Sequence, residues 1–361
     1  MADKREKNMD ILREIRRIRG EENLKIEKRN TNPYRVLVKE EDGITAYYCS
    51  VPVYSKEGKL LLPKWRKEDG RYRFQGINAE IAATEEKVIL QNDYGSAEIA
   101  FADDVSIEPT FNGIAVVCGK SKTKFSLETS SERTVRESAG CFALMREEFT
   151  PFLSVNGIIG KTDGGVCPLR VNGVKRGEKA FEMTVESAAA TEILFEVDLH
   201  APKLVLDTTV ASKLPDENNA FGGAAFLGNT EEYGEQWLYS RFDTTLFADL
   251  NFYRVKEATL YLPKWGGECR LDGYKMDAPW CSFASTWNTK AAFSRLLYTA
   301  RRSRRYERMD VSEILRDILR LHEPRNSGFV IKSGQEKGVS AVSTGDNYDK
   351  PQILEIKLKN N

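Results

Sequence analysis

From about residue 34 onward the chain is written in short runs that alternate apolar and polar residues, each closed by a turn dipeptide. Lys87-Val88-Ile89-Leu90-Gln91 and Lys124-Phe125-Ser126-Leu127-Glu128 are examples. A period of two is that of a strand with one face in a core and the other in water. Asp42-Gly43, Asp69-Gly70, Asn112-Gly113, Asn156-Gly157, Asp163-Gly164-Gly165 and Asn172-Gly173 supply the positive-φ residues that hairpin turns require. Strands are expected at 35–39, 45–54, 59–64, 86–91, 97–102, 113–118, 123–128, 142–146, 181–186 and 192–199. They resume at 203–210, 224–227, 236–242, 257–262, 268–276, 328–333, 339–343 and 352–359. So many short strands at such spacing predict a mainly β protein built of β-sandwich, jelly-roll-like modules.

A chain of 361 residues has room for two such modules. Ala201-Pro202 marks the expected boundary, because proline cannot donate to a continuing ladder. The expected organisation is an N-terminal amphipathic helix within 1–30, a β-rich sandwich over 31–201 and a second sandwich over 202–361. In the first helix Met9, Leu12, Ile15 and Ile18 form a narrow apolar stripe among Arg, Lys and Glu. Two readings of that stripe stand: a helix packed on the following domain, or a docking helix that joins copies into a homo-oligomer. The second module carries one short helix, capped by Asp310 with Glu313 as its box partner and stopped at Glu323-Pro324. The run 56–65 matches 256–265 at seven of ten positions but not beyond, and is read as chance between two β modules.

Fifty-four basic residues balance fifty-four acidic ones, so no global field draws the chain to nucleic acid or an anionic bilayer. No apolar run reaches the roughly 20 residues of a bilayer helix. Met1–Gly20 has no apolar segment of the signal-peptide kind, so the expectation is synthesis in the cytoplasm followed by loading into a surface or extracellular assembly. The six cysteines, at 49, 118, 141, 167, 269 and 281, never reach CxxC or zinc spacing and sit mostly in apolar runs, as buried thiols do.

The segment from about 204 to 359 resembles the DNRLRE domains of bacterial surface proteins, which are similar to carbohydrate-binding modules. The resemblance rests on the order of short patterns: Leu206-Asp207-Thr208-Thr209-Val210, Phe221-Gly222-Gly223-Ala224, Leu238-Tyr239-Ser240-Arg241-Phe242-Asp243 and Val255–Leu262. Thr286-Trp287-Asn288, Met309-Asp310-Val311-Ser312, Ser327–Lys332 and Lys350–Ile356 follow. It implies a jelly roll that holds a glycan or a neighbouring subunit. Within it, Arg241 is expected to bridge to Asp243 or Asp207.

No pattern of catalysis rises from the residues. His200 and His322 have no Ser, Cys or carboxylate at a triad or metal spacing. With 54 acidic residues, any pair named as a glycosidase acid and base would be arbitrary, and no phosphate loop is present. No catalytic residue and no metal ligand is assigned.

Aromatic and basic residues are better leads. Trp280, beside Pro279, and Trp265, beside Gly266-Gly267, are candidate platforms for the apolar face of a sugar ring, against the alternative of core-closing indoles. Arg301, Arg302, Arg304 and Arg305 belong to a basic run that offers forked donors to carboxylates, sulfates or phosphates, against the alternative of a solvated loop. Asp216-Glu217-Asn218-Asn219 and Asp346-Asn347-Tyr348-Asp349 carry oxygen ligands that suit a structural calcium or an ordinary turn equally well. No other cofactor is implied. The expected function is therefore a non-catalytic binding or structural protein of a coat, appendage, fibre or cell surface. The alternative is a polysaccharide-active hydrolase or lyase with its carboxylates in the N-terminal domain.

Overall fold

The computed structural model describes residues 11–27, 32–49, 53–54, 65–68, 71–75, 79–92, 95–109, 113–131, 134–138, 141–147, 150–162, 165–168, 170–175, 177, 179–186, 191–198, 204–220, 222–247, 249–267, 269–303, 305–321, 327–335, 337–345 and 350–359. The protein is mainly β. Every described strand pairing is antiparallel, and the strands form sheets of 14, 8 and 7. The α-helices are Ile11–Arg19 and Ser312–Leu321.

The 14-stranded sheet folds over on itself as a sandwich. Its front layer runs, in spatial order, Val205–Ala211, Gly234–Phe242, Phe329–Ser333, Leu271–Met276 and Phe293–Thr299. Its back layer is organised on the long strand Val255–Gly267. Tyr306–Asp310 flanks that strand on one side. Val339–Ser343 and Ile353–Leu358 lie end to end along the other. Ala224–Thr230 pairs beyond the first of these, and the hairpin Ile44–Cys49 with Arg35–Lys39 beyond the second. Alternation aims Leu238, Phe242, Leu271, Phe329 and Ile331 of the front layer at Tyr48, Leu227, Leu260, Leu262, Val342, Leu354 and Ile356 of the back layer. Gly267 bends the long strand with φ of +88°, where an added Cβ would stand 2.0 Å from the Val339 carbonyl oxygen.

The boundary expected between residues 30 and 31 is not where the sheets divide. Ile44–Cys49 pairs with Ile353–Leu358, so the first hairpin completes the C-terminal sandwich. The strands from 65 to 198 form the other two sheets and are threaded between its second and third strands. The helix Ile11–Arg19 belongs to the same body. Ile11, Leu12 and Ile15 pack on Val36, Val38, Tyr47, Tyr261, Tyr306 and Ile353, the outer side of the back layer. Its apolar stripe is thus covered by its own chain, and the homo-oligomer expected through this helix loses its basis. The next segment closes the sheet edge, with Lys39 N–H donating to Lys25 O at 2.8 Å and Glu27 N–H to Leu37 O at 2.9 Å.

Alternation reads the threaded strands only in part. Lys87–Asn92, Gly95–Phe101, Gly113–Cys118, Lys122–Thr129, Cys141–Glu147, Ala180–Glu186 and Glu192–Asp198 lie where strands are expected. Trp65–Glu68, Arg71–Gln75, Ala79–Ala83, Val105–Pro109, Thr134–Ser138, Thr150–Thr162, Gly165–Cys167 and Arg170–Lys175 are strands that were not expected. Lys122–Thr129 alternates exposed and buried residue by residue, with Phe125 and Leu127 inside. The outer face of that sheet carries cross-strand pairs, Lys87 with Glu98 at 3.2 Å and Lys122 with Glu186 at 2.5 Å. Two expected turns are not turns. Asn156-Gly157 lies inside the strand Thr150–Thr162, where the pairing skips from Asn156 to Ile159 as a bulge. Asn172-Gly173 lies within Arg170–Lys175 and pairs in register. The expected strand 59–64 falls outside the described residues.

Candidate ligand-binding face

The front layer has one side in the core, and its other side carries most of the described tryptophan. In Gly234–Phe242, Leu238 and Phe242 point inward, so Trp237, Tyr239 and Arg241 point outward. Register then builds rows across the sheet. Thr208 stands opposite Tyr239, Tyr239 opposite Val330, Val330 opposite Tyr274 and Tyr274 opposite Leu296. Met276 stands opposite Phe293. Leu296 ends its row 50% exposed, one of the few large apolar side chains turned to water.

Rings fill the rest of the face. Trp237 meets Trp287 at 4.8 Å and Phe293 at 5.3 Å between centroids, and Phe293 meets Tyr274 at 5.1 Å. The Trp237 indole N–H donates to Glu235 Oε1 at 2.7 Å, which fixes the ring's rotation. Two lysines lie over the rings. Lys332 Nζ is 4.8 Å from the Trp237 centroid, 5.7 Å from Phe293 and 5.9 Å from Tyr274. Lys290 Nζ is 4.4 Å from Trp287. Below Lys332, the buried Asp272 accepts from Thr299 Oγ1 at 2.8 Å and from Arg270 at 3.0 Å. Burial pushes the Tyr239 hydroxyl up to about 12, so it is neutral at any ordinary pH.

The loop 277–292 is laid onto this face and pinned there. Asn218 Nδ2 donates to Ser282 O at 2.8 Å and to Ser285 O at 2.7 Å, and Asn288 Nδ2 donates to Asp216 Oδ1 at 2.8 Å. Asp216–Asn219, read from sequence as a turn or calcium loop, is part of the strand Leu214–Asn219. The Asn218 amide spends its donors on protein carbonyls, so the segment is a clasp. The other calcium candidate, 346–349, lies outside the described residues. Among the described residues no three His, Cys, Asp or Glu side chains gather as a metal would need.

The sequence-derived candidates fare differently. Trp280 is not an exposed platform: it is 7% exposed, donates its indole N–H to Ser327 O at 2.8 Å, and lies edge-on to Tyr239 at 5.6 Å. Pinning of its loop is the cause. Trp265 is half-buried, bonds Ser343 Oγ at 3.0 Å and has Lys350 Nζ 3.6 Å above its ring. It sits on the back layer, away from the ring cluster. Arg241 stacks on Trp280 at 5.5 Å on the outer side, whereas Asp207 points inward and accepts from Gly345 N–H at 2.6 Å. The expected Arg241–Asp207 bridge is therefore absent, because the two residues occupy opposite faces of one layer. Asp243 instead caps Thr245, whose N–H donates to it at 3.0 Å.

Arg301 and Arg302 form a short strand opposite Arg308 and Glu307 on the back layer, and Arg305 is exposed beside it. Arg304, His200 and His322 lie outside the described residues. Cys49, Cys118, Cys167 and Cys269 are buried free thiols, and Cys281 is a free thiol at the surface. Trp237, Trp287, Tyr274, Phe293, Lys290 and Lys332 were all missed from sequence. Parity along 234–242 is the signal that could have found the first of them: the residues flanking Leu238 must point away from the core.

Glu40 and Asp42 line a groove at the far end of the back layer with Lys256 and Lys357. Burial raises the Glu40 carboxyl, yet hydrogen bonds from Thr45 and Arg19 outweigh it and hold the group below its usual range. It is an ion-pair member there rather than a proton donor.

No protein-family profile and no curated protein matches the chain. Among solved structures, a GH31 α-xylosidase from Xanthomonas citri aligns with 92% of this chain over 37% of its own length, at 8% identity and a TM-score of 0.13. A likeness that small carries no argument about fold or activity.

Proposed function

We propose that the protein is a non-catalytic binding component of a surface or particle-type assembly, and that the outer side of its front layer holds a glycan. The observation that carries this is the cluster of half-buried rings Trp287, Tyr274 and Phe293, backed by the buried Trp237 and overlain by Lys290 and Lys332. Sugar rings offer apolar C–H faces to aromatic rings, while their hydroxyl and carboxylate groups need polar partners beside them. Both needs are met within a few ångströms. Tyr274 and Phe293 stand on paired strands and Trp287 on a loop pinned by Asn218 and Asp216, so the surface is ordered before a ligand arrives, which lowers the cost of binding. The resemblance of residues 204–359 to DNRLRE domains supports the same reading.

The test is a titration of neutral and acidic oligosaccharides followed by calorimetry, with Trp287→Ala and Lys332→Met as variants. The expected result is binding tighter than about 1 mM, weakened about ten-fold or more by Trp287→Ala, the equivalent of ~1.4 kcal/mol. A panel without a ligand, or variants that bind as the parent does, would refute it. Turnover of any of these sugars, abolished by one Asp or Glu substitution, would put a hydrolase or lyase in its place.

A further inference from the structure

The two lysines on the outer side of the front layer cover the rings as well as flanking them. Lys332 stands directly opposite Asp272 in the paired strands, yet that carboxylate is engaged by Arg270 at 3.0 Å and by Thr299 at 2.8 Å. The Lys332 ammonium lies instead over three rings, 4.8 Å from the Trp237 centroid, 5.7 Å from Phe293 and 5.9 Å from Tyr274. Its ion pair with Glu235 is long, at 3.9 Å, and the same Glu235 oxygen already takes the Trp237 indole N–H. Lys290 is exposed, 4.4 Å from the Trp287 centroid and 5.8 Å from that of Trp237. It donates to the Trp287 carbonyl at 3.3 Å, and among the described residues it pairs with no carboxylate.

Other charges around this face are engaged elsewhere. Asp216 accepts from Asn288 at 2.8 Å, and Asp277 accepts from Ser294 Oγ at 2.7 Å. Arg270 holds Asp272, and Arg241 lies over Trp280. Lys290 and Lys332 are thus the charged groups that lie over Trp287, Tyr274 and Phe293.

That placement discriminates between ligands. A neutral sugar that stacks on these rings must push an ammonium off them, and the cation–π contact is lost without a replacement. A sugar bearing an acid group supplies the replacement: its C–H face meets the rings while its charge meets the displaced ammonium. Specificity is the difference between those two outcomes. An ammonium is a point charge without the fork of a guanidinium, so a carboxylate and a sulfate ester serve it alike. We propose, resting on the reading of this face as a glycan site, that Lys290 and Lys332 make it selective for anionic glycans, pyranose chains that carry a carboxylate or a sulfate.

The experiment is calorimetry of the full chain with matched pairs of ligands: oligouronates and their methyl esters, and sulfated galactan oligosaccharides and their desulfated parents. At low salt at least one acidic member is expected to bind about ten-fold or more tighter than its neutral partner, and added salt to narrow the gap. The pair that shows the gap tells carboxylate from sulfate. Lys290→Met and Lys332→Met are each expected to narrow it about three-fold or more, and Lys332→Arg to preserve it. Lys124→Met, the same charge change on the other body, is expected to leave it as in the parent. Trp287→Ala is expected to weaken acidic and neutral members together. Neutral members that bind as tightly as acidic ones, with Trp287→Ala still weakening both, would overturn the charge selection and leave the glycan reading standing. No binding by any member would overturn both. A gap left intact by Lys290→Met and Lys332→Met, each melting as the parent does, would overturn the assignment to these lysines.

Discussion

Ile15→Ala is the sharpest perturbation of the architecture. Ile15 is 1% exposed and packs from the N-terminal helix onto Val36, Tyr47, Tyr261 and Ile353. Truncating a buried isoleucine costs about 2–5 kcal/mol, the higher end where the site cannot collapse, and two paired strands under a docked helix collapse poorly. For a body of about 150–250 residues each kcal/mol lowers the melting midpoint by about 2–4 °C, so a fall of roughly 5–15 °C is expected. Two transitions should be visible in far-UV circular dichroism, one for each body. Trp237, Trp265, Trp280 and Trp287 all lie in the sandwich that carries the helix, so tryptophan fluorescence follows that body's transition almost alone. The fluorescence midpoint should fall and the other transition should stay. A fall confined to the other transition would return the helix and first hairpin to the 65–198 strands and refute the pairing of Ile44–Cys49 with Ile353–Leu358.

Two further outcomes follow from buried polar groups. Glu307 is fully buried and pairs with Lys264 at 3.2 Å, so Lys264→Met should destabilise by about 3–5 kcal/mol in urea melts, whereas Lys264→Met/Glu307→Leu should cost far less. Equal costs would mean that the pair itself stabilises the fold. Burial raises the Tyr261 hydroxyl to about 12, and burial likewise raises Tyr47 and Tyr306, all beneath the helix. Because the folded state holds these protons more tightly, their contribution is intact below pH 10 and is lost as pH climbs toward 12 and beyond. Helix-side stability should therefore drop in alkali while tyrosinate absorbance lags that of free tyrosine; titration of all tyrosines near 10 in the folded protein would contradict it.

How much of this was legible in the sequence depends on the range of the interaction. Alternation is local, so the strands at 35–39, 113–118, 181–186 and 339–343 are read almost to the residue. The short helix was legible too, since Asp310 does accept the Ser312 N–H, at 2.9 Å. Partner choice is not local. The hairpin 35–49 has the same chemistry as the strands that follow it, and nothing in that chemistry says that its neighbour is 353–358. The outer face was hidden for a related reason. Asp, Pro and Gly around Trp280 mark a loop, and a loop is ordinarily wet. Contacts with distant residues, Asn218 and Asp216 among them, turn it back onto the sheet. Asn156-Gly157 shows the same limit at short range, since the dipeptide that makes a hairpin also makes a bulge when the strand continues beyond it.

The claim on which the functional account rests is that a ligand seats on the half-buried rings of Trp287, Tyr274 and Phe293, with the buried Trp237 packed beneath them. The five tryptophans give five indole N–H resonances, so an NMR titration with the tightest-binding oligosaccharide tests it directly. The signals of Trp237 and Trp287 should move with saturation, while those of Trp65 and Trp265 stay in place. Movement confined to Trp265 or Trp65, or no movement at a saturating sugar, would contradict the account.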